Sequence, residues 1–368
     1  MSTSWRCPPR LPSQLLGTRA AREHRTLTSQ ELITLAPEGL YCALGDFHID
    51  PWRPVARALI THAHSDHARL GSGEYHAPLS GVGLLRRRLG EVPIHGHAFG
   101  EPLVFGDTTV SFHPAGHVLG SAQIRIEHDG EVWVVSGDYK RVADPSCEAF
   151  EVVPCDVFIT EATFALPIYR WEPLQRVMAE LLAWWDGNAA ERRASVLFCY
   201  ALGKAQRVLA EIGRRSDREV FVHGAIDALL DAYRAEGVAL APTRPVAAEA
   251  RGRSFAGELI IAPPSAFGSP WLRRFGDAGT GFASGWMRVR GHRRRRGFDR
   301  GFVLSDHVDW PGLLQTIRET GAGRVYATHG YSDTLARYLR ETGLWAAPLQ
   351  TRFEGEEEGP EVADIPDL

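Results

Sequence analysis

Thr61-His62-Ala63-His64-Ser65-Asp66-His67 sets three imidazoles and one carboxylate within seven residues. It follows directly on the apolar run Ala56-Arg57-Ala58-Leu59-Ile60, which predicts a buried strand. The donors therefore begin where a strand ends, the place at which open α/β sheets carry their chemistry. Alternation along an extended chain sends His62 and His64 to one side. Asp66 and His67 follow as the backbone turns and can face a second point. Imidazole and carboxylate donors suit zinc or manganese, and a group divided in this way can hold two ions.

The same pattern recurs along the chain. Thr109-Val110-Ser111-Phe112-His113 breaks at Pro114-Ala115-Gly116 and leaves His117 on a loop. Glu131 to Ser136 reads as an apolar strand ending in Gly137-Asp138. Phe302-Val303-Leu304-Ser305 leads into Asp306-His307, and Val325-Tyr326-Ala327-Thr328 into His329-Gly330. A single histidine after a strand is commonly a hydrogen-bonded structural residue. Repetition of strand, small residue, then His or Asp points to one shared site.

The order His-x-His-x-Asp-His, then Gly116-His117, then Gly137-Asp138, resembles that of the metallo-β-lactamase fold. Glu161 in Ile159-Thr160-Glu161-Ala162-Thr163-Phe164, His307 and His329 resemble the further motifs of its β-CASP nucleases. Phe198 to Arg207 resembles the strand–loop–helix that opens the β-CASP cap. Gly39 to Cys42, Gly45 to Pro54 and Asp306 to Leu313 resemble one bacterial subgroup, the ligase-associated DNA exonucleases. The resemblance covers residues 38 to 345.

This resemblance implies an α/β fold, a metallo-β-lactamase αββα sandwich with an inserted β-CASP cap. Residues 26–165 and 301–345 are then the two parts of the sandwich, and 166–300 the cap. In that cap, helical stretches (Leu174 to Trp185, Lys204 to Arg214, Ile226 to Glu236) alternate with apolar runs, which suggests a second parallel sheet. Residues 1–25 read as a disordered extension and 346–368 as an acidic tail.

By the same resemblance, one ion takes His62, His64 and His117, the other takes Asp66, His67 and His329, and Asp138 bridges them. Zinc is expected, with manganese the alternative. Two such ions, ~3.5–4 Å apart, activate water and clamp the attacking and leaving oxygens of a phosphodiester. Asp66, Glu161 and His307 then carry the catalysis. His307 is the acid for the leaving oxygen, since histidine titrates near working pH, and Glu161 orients it. Asp50, with Asp46 as the alternative, is the carboxylate that orients a ligand imidazole. Nucleic-acid contacts are expected of Lys204 and Gln206, where a loop opens a helix. They are also expected of the basic run Arg293-Arg294-Arg295-Arg296. Trp271, Phe275, Phe282, Trp286 and Phe298 could stack unpaired bases, although several must be core. His48, His76, His95, His97, His113 and His128 match no motif and read as structural or solvated.

Composition is compatible with this reading without dictating it. The 368 residues, 44% of them hydrophobic, suffice for one large or two ordinary domains. No run approaches the ~18 apolar residues of a membrane span. Cys7, Cys42, Cys147, Cys155 and Cys199 form no Cys-x-x-Cys, so neither a disulfide framework nor a thiolate zinc site is suggested, which fits a reducing cytoplasm. Lys140 and Lys204 are the only lysines, so 39 of the 41 basic residues are arginine. A GC-rich genome explains that more cheaply than function does. Net charge is −4, but Glu354 to Leu368 holds seven acids and no base, which leaves +3 on the rest.

The expected protein is a cytoplasmic DNA exonuclease of DNA repair, acting on single-stranded or end-containing DNA. An ATP-dependent DNA ligase is a partner that the family name alone suggests. An RNA-processing nuclease (mRNA 3′-end or RNase J-like) is the alternative. The short chain, ending soon after His329, tilts toward DNA. A small-molecule hydrolase of the same fold needs no inserted cap, and a catalytically dead scaffold would have lost ligands.

Overall fold

The computed structural model describes residues 31–289 and 297–352. The expected N-terminal extension, Arg293 to Arg296 and the tail from residue 353 lie outside the described residues.

Two mixed sheets face each other. The first contains, in spatial order, β1 (Thr34–Leu35), β2 (Leu40–Cys42), β3 (Phe47–Ile49), β4 (Arg57–Leu59), β5 (Glu74–Pro78) and β6 (Ile94–His97). The second runs β19 (Trp345–Pro348), β18 (Arg324–Thr328), β11 (Val157–Glu161), β10 (Glu131–Val135), β9 (Ala122–His128), β8 (Thr108–Pro114) and β7 (Leu103–Phe105). Phe47, Ile49 and Leu59 of the first sheet meet Phe112, Ile124, Trp133 and Ile159 of the second in a dry core. Helices α5 (Trp310–Thr320) and α6 (Ser332–Glu341) cover the outer face of the second sheet through Leu313, Ile317, Leu335 and Leu339. Asp309 starts α5 by accepting the Gly312 amide at 3.0 Å, and Pro311 stands in its first turn.

A third, wholly parallel sheet runs β14 (Thr243–Pro245), β13 (Val220–Val222), β15 (Leu259–Ala262), β12 (Ser195–Phe198), β16 (Gly279–Ala283) and β17 (Arg300–Phe302). Helices α2 (Leu174–Ala190), α3 (Lys204–Gly213) and α4 (Gly224–Ala235) pack between this sheet and the first one. Met178, Leu181, Leu209 and Leu230 share one cluster with Ala58, Tyr75 and Ala77 of the first sheet and with Leu84 and Leu85 of α1 (Val82–Leu89). The inserted segment therefore shares a core with the sandwich.

Two boundaries differ from expectation. The run from Phe302 to Ser305 was expected to return to the sandwich at residue 301. Instead β17 pairs in parallel with β16 (Ala283 opposite Phe302), and Phe302 packs on Trp184 with ring centroids 5.5 Å apart. The inserted sheet holds the chain to Phe302, and residues 303–309 cross back as a loop. The sandwich also continues past residue 345, because Ala346 and Ala347 pair with Val325 and Tyr326 and are buried.

A buried charged seam joins the inserted segment to that crossing loop. Arg207 of α3 is 1% exposed. It meets Asp144 at 2.6 Å and donates to the carbonyls of Ser305 (2.7 Å) and His117 (3.3 Å). Lys204 pairs with buried Asp306 at 3.0 Å. Removing one member of a buried ion pair strands the other, at a cost of about 3–5 kcal/mol. Arg207→Ala should lower the urea midpoint correspondingly with little change in m-value. An unchanged midpoint would show that the seam contributes nothing to stability.

Candidate metal centre

The donors gather at strand ends because the backbone is forced to turn there. Asp50, straight after β3, adopts φ +43°, a region that tolerates short polar side chains. Its Oδ1 accepts the Thr61 amide (2.7 Å), and its Oδ2 accepts the Thr61 hydroxyl (2.5 Å) and His67 Nδ1 (2.8 Å). One buried carboxylate thus fixes both ends of the His-rich loop. Gly116 makes the next turn, at φ +73°, where a Cβ would lie 2.3 Å from the Lys140 carbonyl oxygen. His329 ends β18 at φ +61°, a strained conformation for a bulky residue and one that clusters at functional sites. Gly330 follows at φ +38°, its missing Cβ 2.7 Å from Ala162 O and Thr163 Cα, so that loop lies tight beside Glu161.

Hydrogen bonding decides where the imidazole protons sit. His117 Nδ1 faces the Asp306 carbonyl at 2.9 Å and His64 Nε2 faces the Leu202 carbonyl at 3.2 Å. A carbonyl only accepts, so both nitrogens carry hydrogen. His62 Nδ1 lies 3.1 Å from Thr61 Oγ1, whose own proton goes to Asp50, so His62 Nδ1 donates. The remaining nitrogens bear lone pairs, and they converge. His64 Nδ1 stands 3.0 Å from His62 Nε2 and 3.1 Å from His117 Nε2. Three lone pairs so close repel one another unless a cation sits among them. The spacing approaches the edge of about 3.3 Å that a tetrahedral zinc–nitrogen site with bonds near 2.05 Å would have.

Asp138 joins this group to a second one. Its Oδ2 is 3.5 Å from His62 Nε2, 3.8 Å from His117 Nε2 and 3.7 Å from His67 Nε2. Its Oδ1 is buried without a hydrogen-bond partner among the described residues, 4.0 Å from His329 Nε2. His67 Nε2 faces Asp66 at 3.4 Å, and Thr328 Oγ1 engages His329 Nδ1 at 2.6 Å. His62, His64, His117 and Asp138 form one potential ligand group, and Asp66, His67 and His329 another. The structure thus brings all seven expected ligands together, with donor types and proton positions that fit two divalent ions.

Electrostatics keeps four of the five rings neutral. Burial holds His62 and His117 well below the ordinary histidine range, and holds His64 at about 4 and His329 at about 3. Burial acts on His67 too, but Asp66, Asp138 and Asp50 outweigh it and raise that ring. Burial pushes Asp138 up to about 7 against the pull of His67.

Beside the seven, His307 Nδ1 meets Glu161 Oε2 at 2.8 Å, and Glu161 Oε1 accepts the Tyr139 amide at 2.7 Å. Both side chains are 1% exposed. Asp138, Glu161 and His307 also lie within donor distance of one another. A cavity of about 430 Å³ opens next to His307, lined by Lys140, Arg141, Trp171, Ser305 and Asp309.

Other expectations need correction. Asp46 is exposed and holds the Tyr41 hydroxyl at 3.0 Å, so Asp50 alone orients the loop. Lys204 and Gln206 are wholly buried. Lys204 pairs with Asp306, and Gln206 accepts the Gly203 amide at 2.7 Å while donating to Ala201 O at 2.9 Å. Neither can reach a phosphate in solvent. Phe275, Phe282 and Trp286 belong to the core under the third sheet, not to a stacking surface. Arg207 and Asp306 were given no role from sequence, and His76 and His95, read as structural or solvated, instead form with Glu74 a further potential ligand group. For the last, the Glu74-x-His76 and His95-x-His97 spacings were the available signal.

No family model matches the chain. It is 32% identical over 322 residues to a "Probable DNA ligase" of Opitutus terrae, an alignment spanning 86% of this chain and 31% of that one. It is 35% and 33% identical over 108 residues to "Endoribonuclease YSH1" of Kluyveromyces lactis and of Saccharomyces cerevisiae, covering 29% of this chain and 14% of each relative. The chain thus spans less than a third of the length of these curated relatives. A solved protein of unknown function from Enterococcus faecalis V583 shares its fold, with a TM-score of 0.55, 13% identity and coverage of 81% of this chain and 80% of that one.

A divalent ion entering this centre must displace the proton that Asp138 holds below about pH 7. Affinity should therefore fall as pH drops, by at least about tenfold per unit below pH 7, because the raised His67 ring must give up its proton as well as Asp138. Calorimetric zinc titrations from pH 6 to 8 check this. A flat profile would mean that Asp138 is not engaged.

Proposed function

We propose that the chain is a metal-dependent phosphodiesterase of the metallo-β-lactamase fold, with the inserted parallel sheet as its β-CASP cap. We further propose that it degrades DNA ends, as a ligase-associated exonuclease would. The observation that carries this reading is the convergence of imidazole lone pairs around Asp138, beside the Glu161–His307 pair. The likeness to a protein named as a DNA ligase supports DNA as substrate, since its alignment spans most of this chain. The likeness to endoribonucleases supports nucleic-acid hydrolysis and keeps RNA as the second reading.

In this proposal His62, His64 and His117 hold one ion, Asp66, His67 and His329 hold the other, and Asp138 contacts both. Two divalent ions so held, zinc or manganese, would supply a water-derived nucleophile at neutral pH and neutralise phosphodiester charge. The rest falls to the chain. Asp50 and Thr61 keep the ring protons of His67 and His62 on Nδ1, which leaves Nε2 as the donor atom. Glu161 accepts from His307 at Nδ1 and fixes the ring, so Nε2 is the atom placed to hand a proton to the leaving oxygen. Arg293 to Arg296 would track phosphates. Among the described residues no helix is long and apolar enough to cross a membrane. A cytoplasmic repair role beside an ATP-dependent ligase extends the same reading.

If His307 is the acid, His307→Ala should keep its metal content while DNA turnover falls by ~10²–10⁴-fold. A nitrophenyl phosphodiester, whose leaving group departs without help, should suffer far less. Equal losses on both substrates would assign His307 to structure instead.

End-labelled single-stranded DNA and RNA of matching sequence test the substrate. Progressive shortening of DNA with little attack on RNA is expected, and the reverse preference would favour the RNA-processing reading. Replacing Arg293 to Arg296 with Ser should flatten the salt dependence of binding by roughly one unit of log–log slope per lost phosphate contact.

A further inference from the structure

The first sheet carries a second cluster of donors, outside every motif above. Strands β5 and β6 run parallel with His76 opposite His95 and Pro78 opposite His97. Alternation sends Tyr75 and Ala77 into the core under α1, and so turns Glu74 and His76 toward the other sheet. There the His76 ring meets Phe105 edge-on at 5.0 Å and stacks on His95 (4.8 Å) and His97 (5.2 Å). His76 is 8% exposed. Its Nδ1 lies 2.9 Å from His97 Nε2, while its Nε2 is buried and makes no hydrogen bond among the described residues. Glu74 Oε1 stands 3.6 Å from that nitrogen, and Glu74 Oε2 stands 3.7 Å from His95 Nε2. Arg57 holds Oε1 at 2.5 Å, which leaves Oε2 as the oxygen turned to His95.

One proton is shared between His76 and His97, and neither placement satisfies His76. If Nδ1 carries it, the Nε2 lone pair faces a carboxylate. If His97 carries it, the buried His76 Nε2–H faces Glu74 Oε1 at 3.6 Å, too long for a hydrogen bond and on an oxygen already held by Arg57. A cation between Glu74, His76 and His95 removes both difficulties, with His97 accepting from Nδ1 and fixing the ring. We propose that Glu74, His76 and His95 bind a divalent transition-metal ion of the zinc class, separate from the central group. Two imidazoles and a carboxylate suit zinc, and the half-exposed His95 side chain leaves a fourth position to water. β6 is the edge strand of its sheet, so the ion would pin it to β5 and close the open side of the core.

The test is a cobalt(II) titration of the metal-free chain, with bound equivalents counted after dialysis. His95→Gln, at an exposed position, should bind one equivalent fewer than the unaltered chain, and Glu74→Gln should behave alike. Metal-free melting temperatures should match across all three, which separates lost binding from misfolding. In the His64→Ala background, adding His95→Gln should remove one further equivalent and reduce, without abolishing, the zinc-induced rise in melting temperature, because Asp66, His67 and His329 would still hold an ion. If His95→Gln and Glu74→Gln both bind as many equivalents as the unaltered chain, the edge site is refuted. A count that His64→Ala fails to change would instead fault the central centre, so the two failures are distinguishable.

Discussion

Three imidazole nitrogens that cannot all bear protons converge, those of His62 and His117 each within 3.1 Å of His64 Nδ1, and the surrounding structure is arranged to keep them there. The Leu202 and Asp306 carbonyls and the Thr61 hydroxyl each claim a proton on the far side of a ring. Asp50 underlies this, because it takes the Thr61 proton and so forces His62 to donate. An apolar pocket would have no reason to aim lone pairs inward. A centre built for cations does, since neutral rings oriented by outer partners are better ligands.

Each part of the fold contributes one element of that centre. Strand β3 supplies Asp50, the loop after β4 supplies His62 to His67, and the loop after β10 supplies Asp138. β11 ends in Glu161 and β18 runs into His329. The third sheet supplies no donor from its strands. It returns the chain at Phe302 so that residues 303–309 lie across the centre, where Asp306 O meets His117 and His307 meets Glu161. Arg207 and Lys204 hold that crossing from below. In the proposed reading, the inserted segment is what turns a metal-binding sandwich into one with a positioned acid.

The donor positions were legible in sequence because they follow apolar runs at turns and alternation puts His62 and His64 on one side, while their division between two ions rested on the family resemblance. Asp50 was favoured over Asp46 by its place before Pro51, and in the structure it is Asp50 that contacts Thr61 and His67 while Asp46 is exposed. Lys204 and Gln206 misled, because a cation at a helix start looks solvated until a distant carboxylate, Asp306, is folded against it. Phe302 to Ser305 has the composition of a sandwich strand, yet strand partners are chosen in space, and Ala283 took Phe302. That His76 and His95, read as structural or solvated, converge with Glu74 was hidden for the same reason, since 19 residues separate positions that the parallel register sets opposite each other.

The central claim is that Asp138 lies between two ions. Manganese(II) loaded into the metal-free chain reports on this directly by electron paramagnetic resonance. Two ions at the ~3.5–4 Å separation of a shared site should give an exchange-coupled spectrum, and Asp138→Ala should abolish the coupling. Isolated six-line manganese signals at full loading, unchanged by Asp138→Ala, would contradict the account.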